Sequence, residues 1–138
     1  MNPTELVKLA KQAMQRAYVP YSGYKVGAAL LTKGGKVCLG CNIENAAFGP
    51  SNCAERTAFF TAIAAGETEF ESIAVVGGKD GVVTDIFPPC GVCRQVMQEF
   101  CGPDFMIYMG RGDDSYEAVP LEKLLPYGFN AEKYMSAK

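Results

Sequence analysis

The chain has 138 residues, of which 49% are hydrophobic and 20% are charged, and it contains no histidine. Its 13 Lys and Arg residues against 15 Asp and Glu residues give a net charge of −2, which argues against a nucleic-acid partner. The absence of histidine excludes Ser-His-Asp and Cys-His nucleophilic catalysis, together with every metal site that needs an imidazole ligand.

Length and composition predict a soluble globular protein in which residues 1–138 form one domain. No apolar run approaches the roughly 20 residues that a membrane span requires, and the N-terminus is typical of a helix rather than a signal peptide. The six cysteines then indicate a reducing compartment, where metal binding or catalysis is more common than disulfides. We therefore expect a cytoplasmic protein with no membrane partner.

The N-terminal part of the chain is predicted to contain a helix and a β-hairpin. Apolar residues at helical spacing, preceded by a cap at Asn2, indicate an amphipathic helix over residues 3–17. Two strands follow, Tyr24–Leu31 and Lys36–Glu44, and a glycine-containing turn joins them as a hairpin.

The rest of the chain alternates between helices and short apolar strands. We expect a buried helix over residues 53–65, a core strand over 72–77, a helix over 90–101, a core strand over 105–109, an edge strand over 117–119 and a short helix over 121–125. Strand–helix alternation from residue 36 to residue 109 predicts parallel strands with right-handed crossovers. The two longer helices would then begin at one edge of the sheet, where open α/β folds bind ligands.

Three cysteines at these two helix starts are predicted to bind a metal. Two residues separate Cys90 from Cys93, so both sulfurs can face one ion, and a helix N-terminus favours the thiolate. With Cys53 they leave tetrahedral Zn²⁺ one open position for water, as in a catalytic site. The alternatives are buried hydrophobic cysteines, a redox pair, or a structural zinc site in which Cys38 and Cys41 join Cys90 and Cys93. The last is disfavoured because a spacing of three on a strand sends Cys38 and Cys41 to opposite faces.

Two charged residues follow Cys53 closely. Glu55 would place a carboxylate within reach of the water on zinc, as an acid/base; alternatively, it closes a capping box with the backbone N–H of Asn52. Arg56 would offset the net negative charge that three thiolates give a zinc centre and would donate hydrogen bonds to sulfur. The alternative for Arg56 is an ordinary surface arginine.

Other side chains are candidates for binding an organic ligand. Period-two alternation places Asn42 and Glu44 side by side on the less apolar face of their strand. There they either grip a vicinal diol such as ribose or are solvated strand residues. Tyr24, Phe48 and Phe129 lie near turns, where core packing is the default and stacking on a flat base is the alternative.

Short segments along nearly the whole chain resemble the small cytidine deaminases. They are Tyr18-Val19-Pro20-Tyr21-Ser22, Val26-Gly27-Ala28-Ala29-Leu30, Asn42-Ile43-Glu44-Asn45-Ala46, Cys53-Ala54-Glu55-Arg56-Thr57-Ala58, Pro89-Cys90-Gly91-Val92-Cys93-Arg94-Gln95 and Leu124-Leu125-Pro126. The resemblance implies a three-layer α/β/α sandwich around a mixed five-stranded sheet. It also implies a homotetramer with active sites at subunit interfaces.

The resemblance further implies a reaction, the zinc-dependent hydrolytic deamination of cytidine and 2′-deoxycytidine to the uridine nucleosides plus ammonia, in pyrimidine salvage. Cys53, Cys90 and Cys93 match the ligands of one Zn²⁺ per subunit. Glu55 matches the proton shuttle that serves the attack of zinc-bound hydroxide on C4 of the base.

The remaining matches imply contacts with a small nucleoside substrate. Asn42 and Glu44 match the ribose-binding pair, and Ala54 matches a residue of the substrate pocket. Phe129 matches an aromatic residue that a neighbouring subunit contributes to cover the base. Tyr24 stands in the pocket where the family usually has Phe. The nearest rivals are deaminases of polynucleotides or of a nucleoside-like antibiotic; the acidic charge balance argues against the first and the ribose-binding pair against the second.

Overall fold

The structure is a computed structural model that describes residues 1–135. Along these residues the elements are α1 (Pro3–Met14), β1 (Tyr24–Thr32), β2 (Val37–Cys41), α2 (Ala54–Ala64), β3 (Phe70–Lys79), α3 (Gly91–Phe100), β4 (Met106–Gly110), β5 (Tyr116–Pro120), α4 (Leu121–Leu124) and α5 (Ala131–Tyr134). The strands form one sheet in the order β2-β1-β3-β4-β5. Only β3 and β4 pair in parallel, and the other neighbours are antiparallel. The expected mixed five-stranded sheet is therefore confirmed.

Helices cover both faces of this sheet, which gives three layers. Along β1, Ala29 and Leu31 pack with α1 on one face, whereas Ala28 and Leu30 pack with α2 on the other. This alternation follows from the period-two geometry of a strand, and both apolar layers are removed from water. None of the helices in residues 1–135 is long and apolar enough to cross a membrane. The expected α/β/α sandwich is therefore confirmed.

The first helix begins as expected and ends three residues early. The Asn2 side chain accepts a hydrogen bond from the backbone N–H of Glu5 at 2.9 Å and donates one to the Glu5 carboxylate at 3.2 Å. After Met14 the chain turns, because Tyr18 is held beside the segment that follows β2: its N–H donates to the Asn42 carbonyl, and its carbonyl accepts from the N–H of Glu44. Pairing with this segment ends the helix before residue 17.

The predicted strand directions are confirmed, but the parallel strands are not all neighbours. Strands β2, β3 and β4 run in one direction, as the alternation over residues 36–109 predicts, but β2 and β3 do not pair with each other. The hairpin partner β1 lies between them and is antiparallel to both. A hairpin strand pairs with its sequence neighbour, so it occupies the position that a crossover strand would otherwise take.

Helix α2 lies directly against β2 and is less buried than its sequence predicts. A Cβ atom at Gly40 would lie 2.3 Å from the carbonyl oxygen of Ala54 and 2.5 Å from the backbone nitrogen of Ala58, so only glycine permits this approach. The outer side of α2 is open in this single chain, where Phe60 is 47% exposed. The close packing fixes the start of α2 beside the strand that leads to Asn42.

Candidate active site

The Sγ atoms of Cys53, Cys90 and Cys93 lie within 4.8 Å of one another, as the sequence predicts. Cys53 and Cys90 are the N-caps of α2 and α3, and Cys93 lies in the first turn of α3. The Sγ–Sγ distance is 3.7 Å between Cys53 and Cys90 and 3.5 Å between Cys90 and Cys93. Zn–S bonds of about 2.3 Å in a tetrahedron place sulfurs about 3.8 Å apart. The cluster could therefore hold Zn²⁺ with little movement.

The alternative zinc site with four cysteines is wrong. Within residues 1–135, the three sulfurs just described are the one group of three or more side chains placed to share a metal. Cys38 packs against the core on the α2 side of the sheet, whereas Cys41 lines a small cavity with Gln12 of α1 and with Arg16, which follows α1. The two side chains thus face opposite sides of β2, as their spacing predicts.

The surroundings of Cys53 favour its thiolate form. Hydrogen bonds from Cys93 and Arg56 outweigh the cost of burial and lower the pKa of Cys53 to about 5. The hydrogen bond to Cys53, followed by burial, raises the pKa of Cys93 well above its usual range. Without a metal, Cys53 therefore carries the negative charge and Cys93 keeps its proton. Zinc prefers thiolate ligands, so this donor set fits the ion.

Glu55 is buried at the start of α2, with only 3% of its surface exposed. The capping-box alternative is wrong, because the N–H of Asn52 donates to the carbonyl of Ile43 at 2.9 Å and the N-cap is Cys53. Burial, aided by the nearby charge of Cys53, raises the pKa of Glu55 to about 7. A carboxyl group with such a pKa can both accept and donate a proton near neutral pH.

Arg56 points toward the sulfurs rather than toward open solvent. Its Nη2 atom donates to the Sγ of Cys53 at 3.2 Å. Its Nε is the one side-chain nitrogen or oxygen atom in residues 1–135 that is buried without a hydrogen-bond partner. Arg94, which follows Cys93 in the chain, instead donates to the backbone carbonyls of Pro89 and Leu124, at 2.8 and 2.7 Å. Of the two arginines, Arg56 is the one that contacts a thiol sulfur.

A cavity of about 540 Å³ is bordered by two cysteines of the cluster, Cys53 and Cys90, together with Glu55 and Arg56. That volume lies in the range of small-molecule sites. Predicted residues that line it are Tyr24, Asn42, Glu44, Phe48, Cys53, Ala54, Glu55, Arg56 and Cys90. Residues that line it without having been singled out include Val26, Ser51, Asn52, Phe87, Pro88 and Val92. No motif marks Phe87, which lies in the loop before Cys90.

Asn42 and Glu44 line the same cavity, and the N-terminal segment holds both side chains by hydrogen bonds. The Oδ1 of Asn42 accepts from the N–H of Val26 at 2.9 Å, and its Nδ2 donates to the carbonyl of Tyr24 at 2.8 Å. Two backbone N–H groups and the Ser22 hydroxyl donate hydrogen bonds to the Glu44 carboxylate. The bond from the hydroxyl is the largest of the causes that lower the pKa of Glu44. The pair therefore presents an amide and an ionised carboxylate.

Of the remaining predicted residues, two line the cavity and one does not. Ala54 is fully buried at the cavity wall, and the ring of Tyr24 lies 6.5 Å from that of Phe87. Phe129 does not line the cavity of its own chain: it is 55% exposed and stacks on Tyr134 with ring centroids 4.9 Å apart. Within one chain, the structure thus brings Tyr24 and Ala54 to the cavity but not Phe129.

Comparisons of the sequence and of the fold with known proteins agree with one another. Residues 1–109 match the family model described as the cytidine and deoxycytidylate deaminase zinc-binding region. A cytidine deaminase of Halalkalibacterium halodurans is 48% identical over 132 residues, which cover 96% of this chain and 97% of the relative. A cytidine deaminase of Sporosarcina psychrophila is 45% identical, with 96% and 94% covered. The crystal structure of a cytidine deaminase from Burkholderia pseudomallei superimposes with a TM-score of 0.86 at 46% identity, over 94% of this chain and 100% of that one.

Proposed function

The chain belongs to the cytidine and deoxycytidylate deaminase family, and we propose that it hydrolyses cytidine and 2′-deoxycytidine to uridine and 2′-deoxyuridine with release of ammonia. The observation that carries this proposal is one cavity that joins the thiol cluster and Glu55 to the side chains of Asn42 and Glu44. The first group suits hydrolytic chemistry at a base, and the second suits the hydroxyl groups of a sugar.

Cys53, Cys90 and Cys93 would hold one Zn²⁺ per subunit, which would supply Lewis acidity and lower the pKa of water to about 7. The hydrogen bond from Arg56 to Cys53 supports this assignment, because a guanidinium offsets the negative charge of clustered thiolates.

We assign Glu55 to proton transfer. Its carboxylate takes a proton from the attacking water and delivers it to ring N3, which makes C4 electrophilic. The water oxygen bonds to C4, and the carboxylate then takes the remaining proton from this added hydroxyl. It passes that proton to the amino group as the C4–N bond breaks, so ammonia leaves and the C4 carbonyl of the uridine nucleoside forms. A pKa near 7 suits both directions, and burial keeps bulk water from competing for the proton.

We assign Asn42 and Glu44 to the ribose, and Tyr24 and Ala54 to the walls around the nucleoside. Phe129 is assigned to the base of a substrate bound in a neighbouring subunit. This last assignment is supported by the half-exposed ring of Phe129 and by its place outside its own cavity.

We also propose that the protein is a homotetramer of single catalytic domains, each spanning residues 1–138, with the active sites at subunit interfaces. Apolar rings exposed in the single chain support an assembly; Phe48, which borders the cavity, is 90% exposed, and Phe60 on α2 is 47% exposed. A cytoplasmic location and a role in pyrimidine salvage complete the proposal. The net charge of −2 gives no electrostatic attraction to nucleic acid.

The proposal is tested by following the ultraviolet change as zinc-loaded protein is mixed with cytidine, 2′-deoxycytidine, free cytosine or a cytosine-containing single-stranded oligodeoxynucleotide. We expect conversion of the two nucleosides and release of one ammonia for each. Protein with Glu55→Ala, purified in the same way, controls for contaminating enzymes, and light scattering reports the oligomeric state.

Failure to convert either nucleoside, with one zinc per chain still bound, would overturn the proposed activity. Turnover of free cytosine as readily as cytidine would contradict the assignment of Asn42 and Glu44 to the sugar. A monomer with full activity would contradict the shared site.

A further inference from the structure

Glu44 is held from one side by a tight turn of the chain, Tyr21–Tyr24. One carboxylate oxygen accepts the backbone N–H groups of Tyr21 and Ser22, each at 3.1 Å. The other oxygen accepts the hydroxyl of Ser22. A carboxylate offers about four acceptor positions, so three are used within the chain and about one is left for a ligand.

The Ser22 side chain also connects Glu44 to Tyr24, whose backbone carbonyl accepts a hydrogen bond from Asn42. Its Oγ accepts the N–H of Tyr24 at 3.0 Å while its hydroxyl donates to Glu44. The carbonyl of Tyr24 in turn accepts from the Asn42 amide at 2.8 Å. One hydroxyl therefore links the two side chains that we assign to the sugar.

Lys79 braces the same turn from the opposite side. The sheet places Lys79 opposite Tyr24 in the pairing of β1 with β3. Its Nζ donates to the carbonyl of Ser22 at 2.7 Å and lies 5.3 Å from the centre of the Tyr24 ring. A Cβ atom at Gly23 would lie 2.9 Å from that Nζ, and Gly23 has a φ of +74°. Glycine at this position thus permits both the turn and the approach of the ammonium group.

We propose that Ser22 and Lys79 are positioning residues for the sugar site: Ser22 orients Glu44 and links it to Asn42, and Lys79 holds the turn that carries Ser22. The inference rests on the proposed function, because it supposes that Glu44 binds a sugar hydroxyl. The pKa of Glu44 is lowered by the Ser22 hydroxyl first, with a smaller contribution from the charge of Lys79, which keeps the carboxylate an acceptor. Neither residue is needed for the chemistry at the base.

The test compares Ser22→Ala with wild-type holoenzyme. The Ser22 hydroxyl donates a hydrogen bond to the charged Glu44 carboxylate, so its loss should raise the KM for cytidine about tenfold. The kcat should change less than about threefold, because the proton transfer by Glu55 is untouched. Ser22→Thr, which keeps a hydroxyl, should restore most of the affinity. Ser115→Ala is the matched control, because Ser115 makes the same backbone and hydroxyl contacts to Asp113 in a turn outside the cavity.

Product analogues separate positioning from general loosening of the turn. As competitive inhibitors, uridine should bind Ser22→Ala about tenfold more weakly than wild type, whereas 2′,3′-dideoxyuridine should bind both proteins within about twofold. A purely structural role for Ser22 would weaken both inhibitors equally. That result, or an unchanged KM for cytidine, would overturn the inference.

Substitution of Lys79 tests the proposal independently, in case Ser22→Ala folds poorly. Lys79→Met should raise the KM about threefold with kcat retained, and Lys79→Arg should rescue it. Lys11→Met is its control, because Lys11 Nζ also donates to a turn carbonyl, that of Gly112, at 3.2 Å. An equal KM for Lys79→Met and wild type would remove Lys79 from the proposal. A wild-type protein without activity on cytidine would overturn the proposed function and this inference together, whereas an active wild type with an indifferent Ser22→Ala would overturn the inference alone.

Discussion

Two groups of polar side chains at the cavity, which we call the metal end and the sugar end, are built on opposite principles. At the metal end, defined as Cys53, Cys90, Cys93, Glu55 and Arg56, polar side chains converge on a shared space and are incompletely paired with the protein. At the sugar end, defined as Asn42 and Glu44, five hydrogen bonds connect the side chains to the N-terminal segment. One end is completed by what it binds, and the other is complete before binding.

The difference has an energetic basis. Leaving a buried polar group unpaired costs about 1–3 kcal/mol of folding free energy, so the metal end destabilises the metal-free protein. Two features reflect this cost: the Nε of Arg56 has no hydrogen-bond partner, and burial raises the pKa of Glu55. In the zinc-loaded protein, changes at the metal end should therefore alter zinc binding and turnover, whereas changes at the sugar end should alter substrate affinity and folding stability together.

The largest effect is expected from removing a sulfur. Cys53→Ala should lower the zinc content from one per chain to nearly none and abolish turnover, because two thiolates hold the ion far more weakly than three. Zinc measured by mass spectrometry on dialysed protein checks this. Cys38→Ala is the control, since Cys38 packs in the core on the α2 side. Zinc lost from Cys38→Ala but kept by Cys53→Ala would reverse the assignment.

Glu55→Gln should separate metal binding from proton transfer. The amide keeps the shape of the side chain but cannot accept a proton, so kcat should fall about 10³-fold or more while zinc stays bound. Steady-state rates and zinc content from one preparation give both quantities. Turnover within tenfold of wild type would show that another group moves the proton.

Glu55 should also give the metal-free protein a pH-dependent stability. Its folded pKa of about 7 exceeds the ordinary 4.5, so the folded chain binds this proton more tightly than the unfolded chain does. The stabilisation is complete below pH 4.5 and is lost as the pH rises to about 7, a difference on the order of 3 kcal/mol. Urea unfolding of zinc-free wild type and Glu55→Gln across this range measures it. A constant difference between the two proteins would contradict the role of burial.

Arg56→Gln should have a smaller effect, again confined to the metal end. Loss of the guanidinium removes a hydrogen bond to Cys53 and a positive charge beside the thiolates. Residues that support ligands in this way are worth about 10–100-fold in activity or metal affinity. Arg94→Gln is the comparison, because Arg94 donates to backbone carbonyls and should act on stability instead. Unchanged rate and zinc affinity in Arg56→Gln would contradict this role.

The sequence predicts the metal end better than the sugar end because of how each is built. Cys53, Cys90 and Cys93 stand at helix starts, and a helix start follows from local spacing and breakers. Strand alternation predicts that Asn42 and Glu44 lie side by side; in the structure β2 ends at Cys41, but both residues line the cavity. Strand alternation does not predict the residues that position them, because Ser22 is 22 positions from Glu44 and Lys79 is 57 positions from Ser22.

The strand order has the same origin. Local patterns predict the directions of β2 and β3, but the position of β1 between them depends on its pairing with β3, which joins residues far apart in the sequence. Likewise, the capping-box spacing from Asn52 to Glu55 is present, but the backbone of Asn52 is already paired with that of Ile43 in an isolated β-bridge. A contact nine positions away replaced the local one.

Asn42→Ala should give the smallest effect on rate and should couple affinity to stability. It removes the bonds to the backbone of Tyr24 and Val26, so the free energy of unfolding should fall by about 1–3 kcal/mol, and the KM for cytidine should rise while kcat changes little. Asn42→Asp keeps the acceptor for Val26 but loses the donor to Tyr24, so it should fall between alanine and wild type in stability. Zinc content should stay at one per chain in both variants, since neither touches the thiol cluster. Denaturant unfolding and steady-state kinetics on the same preparations measure the coupling. If Asn42→Ala raised the KM without loss of stability, the sugar end would be held by the ligand, as the metal end is, and the contrast between the two ends would fail.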